Sequence, residues 1–298
     1  MKILAVVVFY NPEGDYFNRC LSIASQVDKL IVYDNSIDSD VITENKNNIL
    51  KIDNAIYHSE ESNKGIGKAL NYAVIKAKED GYDLLLTFDQ DTEVPNSYVE
   101  SLTLSYLSEK NIGAIGPIYK DINVNRECRF PVSSGPFVVR RTLSGESKIQ
   151  DVLSIITSGT LYPVKVFDEI GFFDEDFFID YIDNEFCLRL QNNGYRVCVD
   201  PKICINHALG NRTIKKSIVN FSPTNYPHYR KYYITRNRLF VYKSYFLKFP
   251  AFVFYDIAAL CLDLFRVILF EKDKLVKLRS YRRAIKDFFL NKKGVMIE

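Results

Sequence analysis

Two aspartates one residue apart, Asp89 and Asp91, follow the apolar run Leu84-Leu85-Leu86-Thr87-Phe88. A buried strand ending in Asp-Gln-Asp delivers both carboxylates to one point where the chain turns into a loop. Hard divalent cations take oxygen ligands of this kind and keep positions open for phosphate oxygens. The pair therefore fits Mg²⁺ or Mn²⁺ neutralising a departing diphosphate. A solvated, Asp-rich turn has the same composition, and it is the strand in front that tips the reading toward a site.

Four further clusters carry related chemistry. Asp34-Asn35-Ser36 ends the run Leu30–Tyr33 and offers a carboxylate to a base N–H or a ribose hydroxyl, with an Asx turn as the plain alternative. Asn63-Lys64-Gly65-Ile66-Gly67-Lys68 opens a helical pattern. Helix starts present free N–H groups that attract phosphate, and glycine lets a ligand approach the backbone. Neither the Walker pattern nor the full GxGxxG is present, so an ordinary helix start has the same look. The segment Phe178–Arg189 interleaves apolar and aromatic residues with Asp180, Asp183 and Glu185 just before a helix. A carboxylate there is often only a cap, but one buried beside aromatics can take the proton from a hydroxyl nucleophile. Asp183 is the candidate. His207, one of three histidines, precedes Ala208-Leu209-Gly210 and is a candidate metal ligand, although a lone histidine is more often structural.

The elements that must position these groups follow from periodicity. Residues 3–9 form a continuous apolar run bounded by Asn11-Pro12, as a buried parallel strand does. Residues 15–27 and 65–80 repeat apolar side chains at helical spacing, and further strands fall at 30–33, 55–57 and 84–88. Alternating strands and helices predict an α/β fold with a mainly parallel sheet. Ligands of such sheets bind at the carboxyl ends of strands, where Asn11, Asp34-Asn35 and Asp89–Asp91 all sit. The stretch 110–210 is mixed, with strands expected at 112–118, 137–139, 152–157 and 196–199 and a helix after Asp183.

Residues 229–298 read as mainly helical, dividing the chain into a catalytic domain, 1–228, and a C-terminal helical region, 229–298. Within 249–270, Asp256, Asp263 and Arg266 fall on one narrow stripe of an otherwise apolar helix. Three charges argue against a spanning helix and leave a buried or in-plane membrane helix. Residues 1–200 hold 19 Lys/Arg against 31 Asp/Glu, whereas residues 201–298 hold 20 against 6. A basic tail on an acidic body implies an anionic partner such as a membrane surface or a phosphorylated lipid. No recognition motif accompanies the charge, so nucleic acid is not expected. The six cysteines form no CxxC pair, which fits a reducing compartment. The opening MKILAVVVFYNP lacks a small-residue cleavage site and reads as a first strand, not a leader.

In order and spacing, Val8-Phe9-Tyr10-Asn11-Pro12, Tyr33-Asp34-Asn35-Ser36, Asn63–Gly67, Asp89-Gln90-Asp91, Ser158-Gly159, Asp183, His207 and Arg236-Asn237 resemble the inverting glycosyltransferase family 2, from about Ile3 to Leu239. The resemblance implies a GT-A fold, a Rossmann-like sheet flanked by helices, with a C-terminal helical extension. The Leu-Leu-Thr-Phe-Asp-Gln-Asp form, the Tyr-Asn-Pro opening and Asp180–Glu185 are similar to the rhamnosyltransferase branch. They imply a dTDP-L-rhamnose donor, a saccharide or lipid-linked saccharide acceptor, and a role in O-antigen or capsule-like polysaccharide assembly. Carried over by position, Phe9, Tyr10, Asp34, Asn63, Gly65 and Asp89 would contact the donor nucleotide, and Arg236 its diphosphate or an acceptor phosphate. Asp91, Asp89 and His207 would attend the metal. Ser158, Gly159 and Asp180 would meet the acceptor, and Asp183 would be the base.

The chain departs from relatives at Ile182, where many have Glu before the catalytic Asp, so Asp180 and Glu185 stay open as alternative bases. A UDP-hexose donor is the rival within the class. A nucleotidyltransferase or a non-catalytic nucleotide-binding protein are rivals outside it, although Asn11-Pro12-Glu13-Gly14 is not the Gly- and Arg-rich loop a nucleotidyltransferase would want. The expected setting is cytoplasmic. Residues 244–293 would either contact the inner face of the cell membrane or join two copies of the chain.

Overall fold

The computed structural model describes residues 1–121, 126–207 and 225–296. The chain begins β1 (Ile3–Phe9), α1 (Tyr16–Ala24), β2 (Lys29–Asp34), α2 (Ser39–Ile49), β3 (Ala55–Ser59), α3 (Ile66–Glu79) and β4 (Leu84–Asp89). β3, β2, β1 and β4 lie side by side and parallel, with Val8 opposite both Tyr33 and Asp89. That register brings the ends of β1, β2 and β4 level. β1, β2 and β4 are apolar along their length because helices cover both faces of such a sheet. α3 buries Ala69, Leu70, Ala73, Val74 and Ala77 toward the sheet, and its three alanines let the helix lie close to β1.

After α4 (Tyr98–Ser108) come β5 (Ile112–Asp121), β6 (Arg126–Glu127), β7 (Phe130–Ser134), β8 (Phe137–Arg141), β9 (Gln150–Asp151) and β10 (Thr160–Pro163). β10 is inserted antiparallel between β4 and β5, and β7 with β8 makes a separate hairpin. The strand expected at 152–157 is not there. Val152 N–H bonds to the Val197 carbonyl at 2.9 Å and Leu153 N–H to that of Pro131 at 2.8 Å, so successive groups find different partners instead of one ladder. Its apolar residues marked burial, which an irregular segment can also have.

α5 (Val166–Ile170), a short 3-10 turn (Glu175–Phe177), α6 (Ile182–Asn192) and β11 (Arg196–His207) complete the sheet, with β11 parallel to β5. Three helices follow: α7 (His228–Tyr245), α8 (Pro250–Phe270) and α9 (Lys274–Phe289). α7 and α8 are not a body apart from the sheet, and α7 with α9 adds a small cluster of Tyr232, Tyr233 and Ala284. Phe240, Val241 and Tyr245 of α7 and Phe252 and Val253 of α8 belong to the same continuous core as the sheet. Among the described residues no helix is long and apolar enough to cross a membrane. None of the six cysteines is in a disulfide.

Candidate active site

A cavity of about 460 Å³ opens at the level ends of β1, β2 and β4. Its floor is Val8, Phe9 and Tyr10, and Asp89, Gln90 and Asp91 form one wall. Phe9 offers the cavity little beyond its backbone, because its ring is buried edge-on against Tyr16. Tyr10 is exposed, and its N–H donates to Gln90 Oε1 at 2.7 Å, tying the end of β1 to the turn after β4.

The opposite wall is the start of α3. Asn35 holds it in place: its Oδ1 accepts from Lys64 N–H at 2.9 Å and its Nδ2 donates to the Gly65 carbonyl at 3.3 Å. Asn63 Oδ1 accepts from Gly65 N–H at 2.9 Å. Gly65 has φ +84°, and a Cβ there would lie 2.5 Å from the Phe178 carbonyl oxygen, so both conformation and space demand glycine. Ile66 N–H donates to that same oxygen at 2.7 Å, joining the helix start to the Phe178 loop.

Asp34, expected to touch the nucleotide, does not line the cavity. It is wholly buried, and its carboxylate accepts from Ser36 N–H, Asn45 Nδ2 and Tyr57 Oη at 2.7–2.8 Å. A polar group so buried needs such partners, and Asn35 lines the cavity in its place.

Ser158 and Gly159 are likewise not surfaces for an acceptor. Both are buried behind β4. Ser158 Oγ accepts from Asp89 N–H at 3.1 Å and bonds the Thr92 hydroxyl, and Gly159 N–H donates to the Thr87 carbonyl at 2.7 Å. They brace the turn that carries the two aspartates. His207 ends β11 opposite Asp121, and Asn206 bridges Glu93, two residues past Asp91. The backbone thus brings His207 to the acidic turn, but its side chain and Gly210 lie outside the described residues.

Asp89 and Asp91 supply the hard, anionic oxygens that Mg²⁺ or Mn²⁺ prefers. Among the described residues no three metal-binding side chains gather at one point. The pair fits an ion that completes its coordination from diphosphate oxygens and water, the usual habit of these cations.

The cavity is closed by Phe178 and Ile179 and by Tyr226, Tyr229 and Arg230. Phe178, Asp180 and Tyr181 all have positive φ, near +65°, an uncommon run for non-glycine residues. Ile179 N–H bonds back to the Phe177 carbonyl at 2.7 Å, the i to i+2 contact of a γ-turn. This conformation is held from α7. Asn237 Nδ2 lies 2.8–2.9 Å from the carbonyls of Phe177, Ile179 and Asp180. Arg236, expected on a phosphate, is 1% exposed and spends its guanidinium on Gly294, Asp176 and Phe177 carbonyls and on Asn237 Oδ1. The cation that does line the cavity is Arg230, whose Nη2 and Nε donate to the two Asp180 carboxylate oxygens at 2.5 and 3.1 Å and whose guanidinium lies over the Tyr226 ring. Sequence reasoning missed it; the aromatic cluster Tyr226-Pro-His-Tyr-Arg before a helix was its only signal.

The three acids of this segment now separate. Glu185 is committed to Arg189 at 2.6 and 3.0 Å and accepts from Tyr245 Oη at 2.7 Å. Asp180 is committed to Arg230. Asp183, partly buried in the first turn of α6, accepts only from its neighbour Asn184, backbone and side chain, both on Oδ1. Burial, with the charges of Asp180 and Asp89 nearby, pushes its pKa up to about 6 against these two hydrogen bonds. Ile182, just ahead of Asp183, is buried in the core.

This sheet, with a nucleotide-sized cavity at its strand ends and a paired-acid turn, has the GT-A architecture. Solved structures share the fold: GalNAc-T7 with UDP, GalNAc and Mn²⁺ (TM-score 0.56, 15% identity, 70% of this chain and 43% of that one) and S. aureus TarS 1–349 in complex with UDP-GlcNAc (TM-score 0.56, 17% identity, 98% and 82%). The chain spans about half (49%) of the longer TarS chain. The Glycosyl transferase family 2 profile matches residues 4–171. The chain is 30% identical over 241 residues to the dTDP-rhamnosyl transferase RfbF of Shigella flexneri, covering 79% of this chain and 78% of that protein. The chain belongs to glycosyl transferase family 2 and is a glycosyltransferase.

Proposed function

We propose that this protein transfers L-rhamnose from dTDP-L-rhamnose, with inversion, to a hydroxyl of a lipid-linked saccharide in cell-surface polysaccharide assembly such as O-antigen synthesis. The observation that carries the donor is the 30% identity to a dTDP-rhamnosyl transferase along most of both chains. The nucleotide lies across Tyr10, Asn35 and Asn63, with its diphosphate toward Asp89, Asp91 and the start of α3. Asp91 with Asp89, and His207 by its position in the sequence, would hold Mg²⁺ or Mn²⁺, which would neutralise charge on the departing diphosphate. Arg230, held in place by Asp180, lines the far wall with its guanidinium. Asp183 takes the proton of the acceptor hydroxyl. That oxygen forms its bond to the anomeric carbon as the bond to the diphosphate breaks on the opposite face, in one step. A base with pKa near 6 is ionised at neutral pH and still basic enough to receive the proton.

A UDP-hexose is the second reading, since GT-A neighbours are solved with UDP and UDP-GlcNAc. The test is slow nucleoside diphosphate release, with thermal stabilisation, on a panel of nucleotide sugars with Mn²⁺. A selective response to dTDP-rhamnose that EDTA removes is expected. A response to a UDP-sugar alone overturns the rhamnosyl assignment. Stabilisation by donors without release in the presence of saccharide acceptors would favour a non-catalytic nucleotide-binding protein.

A further inference from the structure

The basic C-terminal region sorts its charges by side. Of the five acids between residues 250 and 296, four are turned inward. Asp256 meets Arg238 at 2.9 Å, Asp263 meets Lys231 at 2.7 Å, Glu271 meets Lys277 at 2.7 Å, and Asp287 accepts from Tyr232 Oη at 2.8 Å. Only Asp273 is exposed. The outward surface of α9 therefore keeps its cations: Lys272, just ahead of it, and Lys274, Arg279, Arg282 and Lys286 are all exposed.

The same sorting strips charge from the outer face of α8. Phe254, Ile257, Leu262, Phe265, Ile268 and Leu269 are exposed at helical spacing, Phe254 by 62% and Leu262 by 53%, with no charged residue among them. The stripe runs about 22 Å at the helical rise. The hairpin strand β8 packs against α8 and adds exposed Phe137, Arg140 and Arg141. A contiguous apolar face of this size on a soluble surface marks an interaction site.

We propose that the outer face of α8, flanked by the cations of α9 and of the β7–β8 hairpin, lies in the plane of an anionic lipid bilayer, its apolar side chains among the acyl chains and its Lys and Arg on the headgroups. Charge selects this occupant over a second copy of the chain. A two-fold interface sets a patch against itself, which would bring one cationic rim against another, whereas anionic headgroups complement it. The inference deepens the lipid-linked-acceptor reading above, because it puts the enzyme where such an acceptor resides.

The test is flotation of the full chain with vesicles of phosphatidylcholine alone and of phosphatidylcholine with phosphatidylglycerol. Binding is expected only with the anionic lipid. It should fall at least about tenfold in Leu262→Glu/Phe265→Glu, in Arg279→Glu/Arg282→Glu, and in high salt for the wild type. Both pairs are solvent-facing, so near-normal melting and unchanged nucleoside diphosphate release are expected. The chain has no tryptophan, so Leu262→Trp gives a sole fluorophore whose emission should shift to the blue on anionic vesicles. This readout needs no loss-of-function variant. No flotation and no shift overturns the proposal, as does a concentration-dependent dimer that Phe265→Glu dissociates. Vesicle binding by a protein inactive on every donor would sink the transfer reading and leave this one standing.

Discussion

Asp183 is the one acid of its segment whose carboxylate is not consumed by a cation, and its burial costs the folded protein something. Its pKa is raised from 3.8 to about 6, so the native state holds a proton more tightly than the unfolded chain. Stability is therefore undiminished below about pH 4, declines as pH rises from 4 to 6, and carries the full penalty above 6. With partial solvent access that penalty is on the order of 1–2 kcal/mol. Asp183→Asn should abolish transfer and leave donor-induced stabilisation intact. It should also melt higher than wild type at pH 7.5, by a margin that vanishes near pH 4. Wild-type kcat/KM should rise with pH through an apparent pKa near 6 to a plateau. Calorimetry and a pH–rate profile check these, and a variant that keeps turnover removes Asp183 from the chemistry. At this scale the sequence was legible where a residue's type is tied to a strand end or a helix start, as with Asp89, Asp91 and Gly65, which all line the cavity. It was less so where the deciding fact is a partner far along the chain. Nothing local distinguishes Arg230 from Arg236, yet one faces the cavity and the other is sealed under the Phe178 loop.

At the scale of elements, the strands and helices with full apolar periodicity, β1, α3 and β4, were readable because burial on a parallel sheet leaves no other pattern. β10 was not, since four residues ending in proline carry no period. α2 was missed because its outward face is all polar and it buries little beyond Asn45 and Ile49. The γ-turn at Phe178 is also unreadable locally, being imposed by Asn237 from α7. Removing that amide in Asn237→Ala takes its donor from the Ile179 and Asp180 carbonyls, leaves that of Phe177 held only by Ile179 N–H and Arg236, and should let the loop relax. A shift of about 1 Å at a catalytic group can slow a reaction on the order of 10²-fold. Turnover should therefore drop by roughly one to two orders of magnitude, with a smaller change in donor KM. Gly65→Ala should act the other way, forcing Phe178 toward the cavity and raising donor KM first. Steady-state kinetics on the two variants separate the roles, and identical effects on turnover and KM would mean the loop and the helix start are not distinct devices.

At the scale of the whole molecule, the division at 228 separates stretches of sequence but not units of structure. The Phe178 loop, which leads into Asp183, is gripped from beyond that division at three points: Arg230 on Asp180, Arg236-Asn237 on the loop carbonyls, and the Arg238–Asp256 pair on Tyr181, whose hydroxyl lies 2.8 Å from Asp256 Oδ2. The core likewise runs without a break from the sheet into α7 and α8. Composition could show that residues 201–298 are basic; it could not show that four of the five acids between 250 and 296 sit inside, because that depends on which side of α8 meets α7. Two consequences follow. A chain ending at 228 should not fold to a stable glycosyltransferase domain, since it exposes the apolar surface that α7 and α8 cover. Asp256→Ala should strand the Arg238 guanidinium, whose Nη1 is already buried without a hydrogen-bond partner, and should destabilise the protein by about 3–5 kcal/mol. Because that pair also holds Tyr181, the loss should reach the active site as well as the melting curve. Differential scanning calorimetry should give one transition for the wild type and one, at lower temperature, for Asp256→Ala, with slower turnover measured well below its melting point. Two separable transitions, or a folded and active fragment 1–228, would restore the boundary at 228 as a structural one.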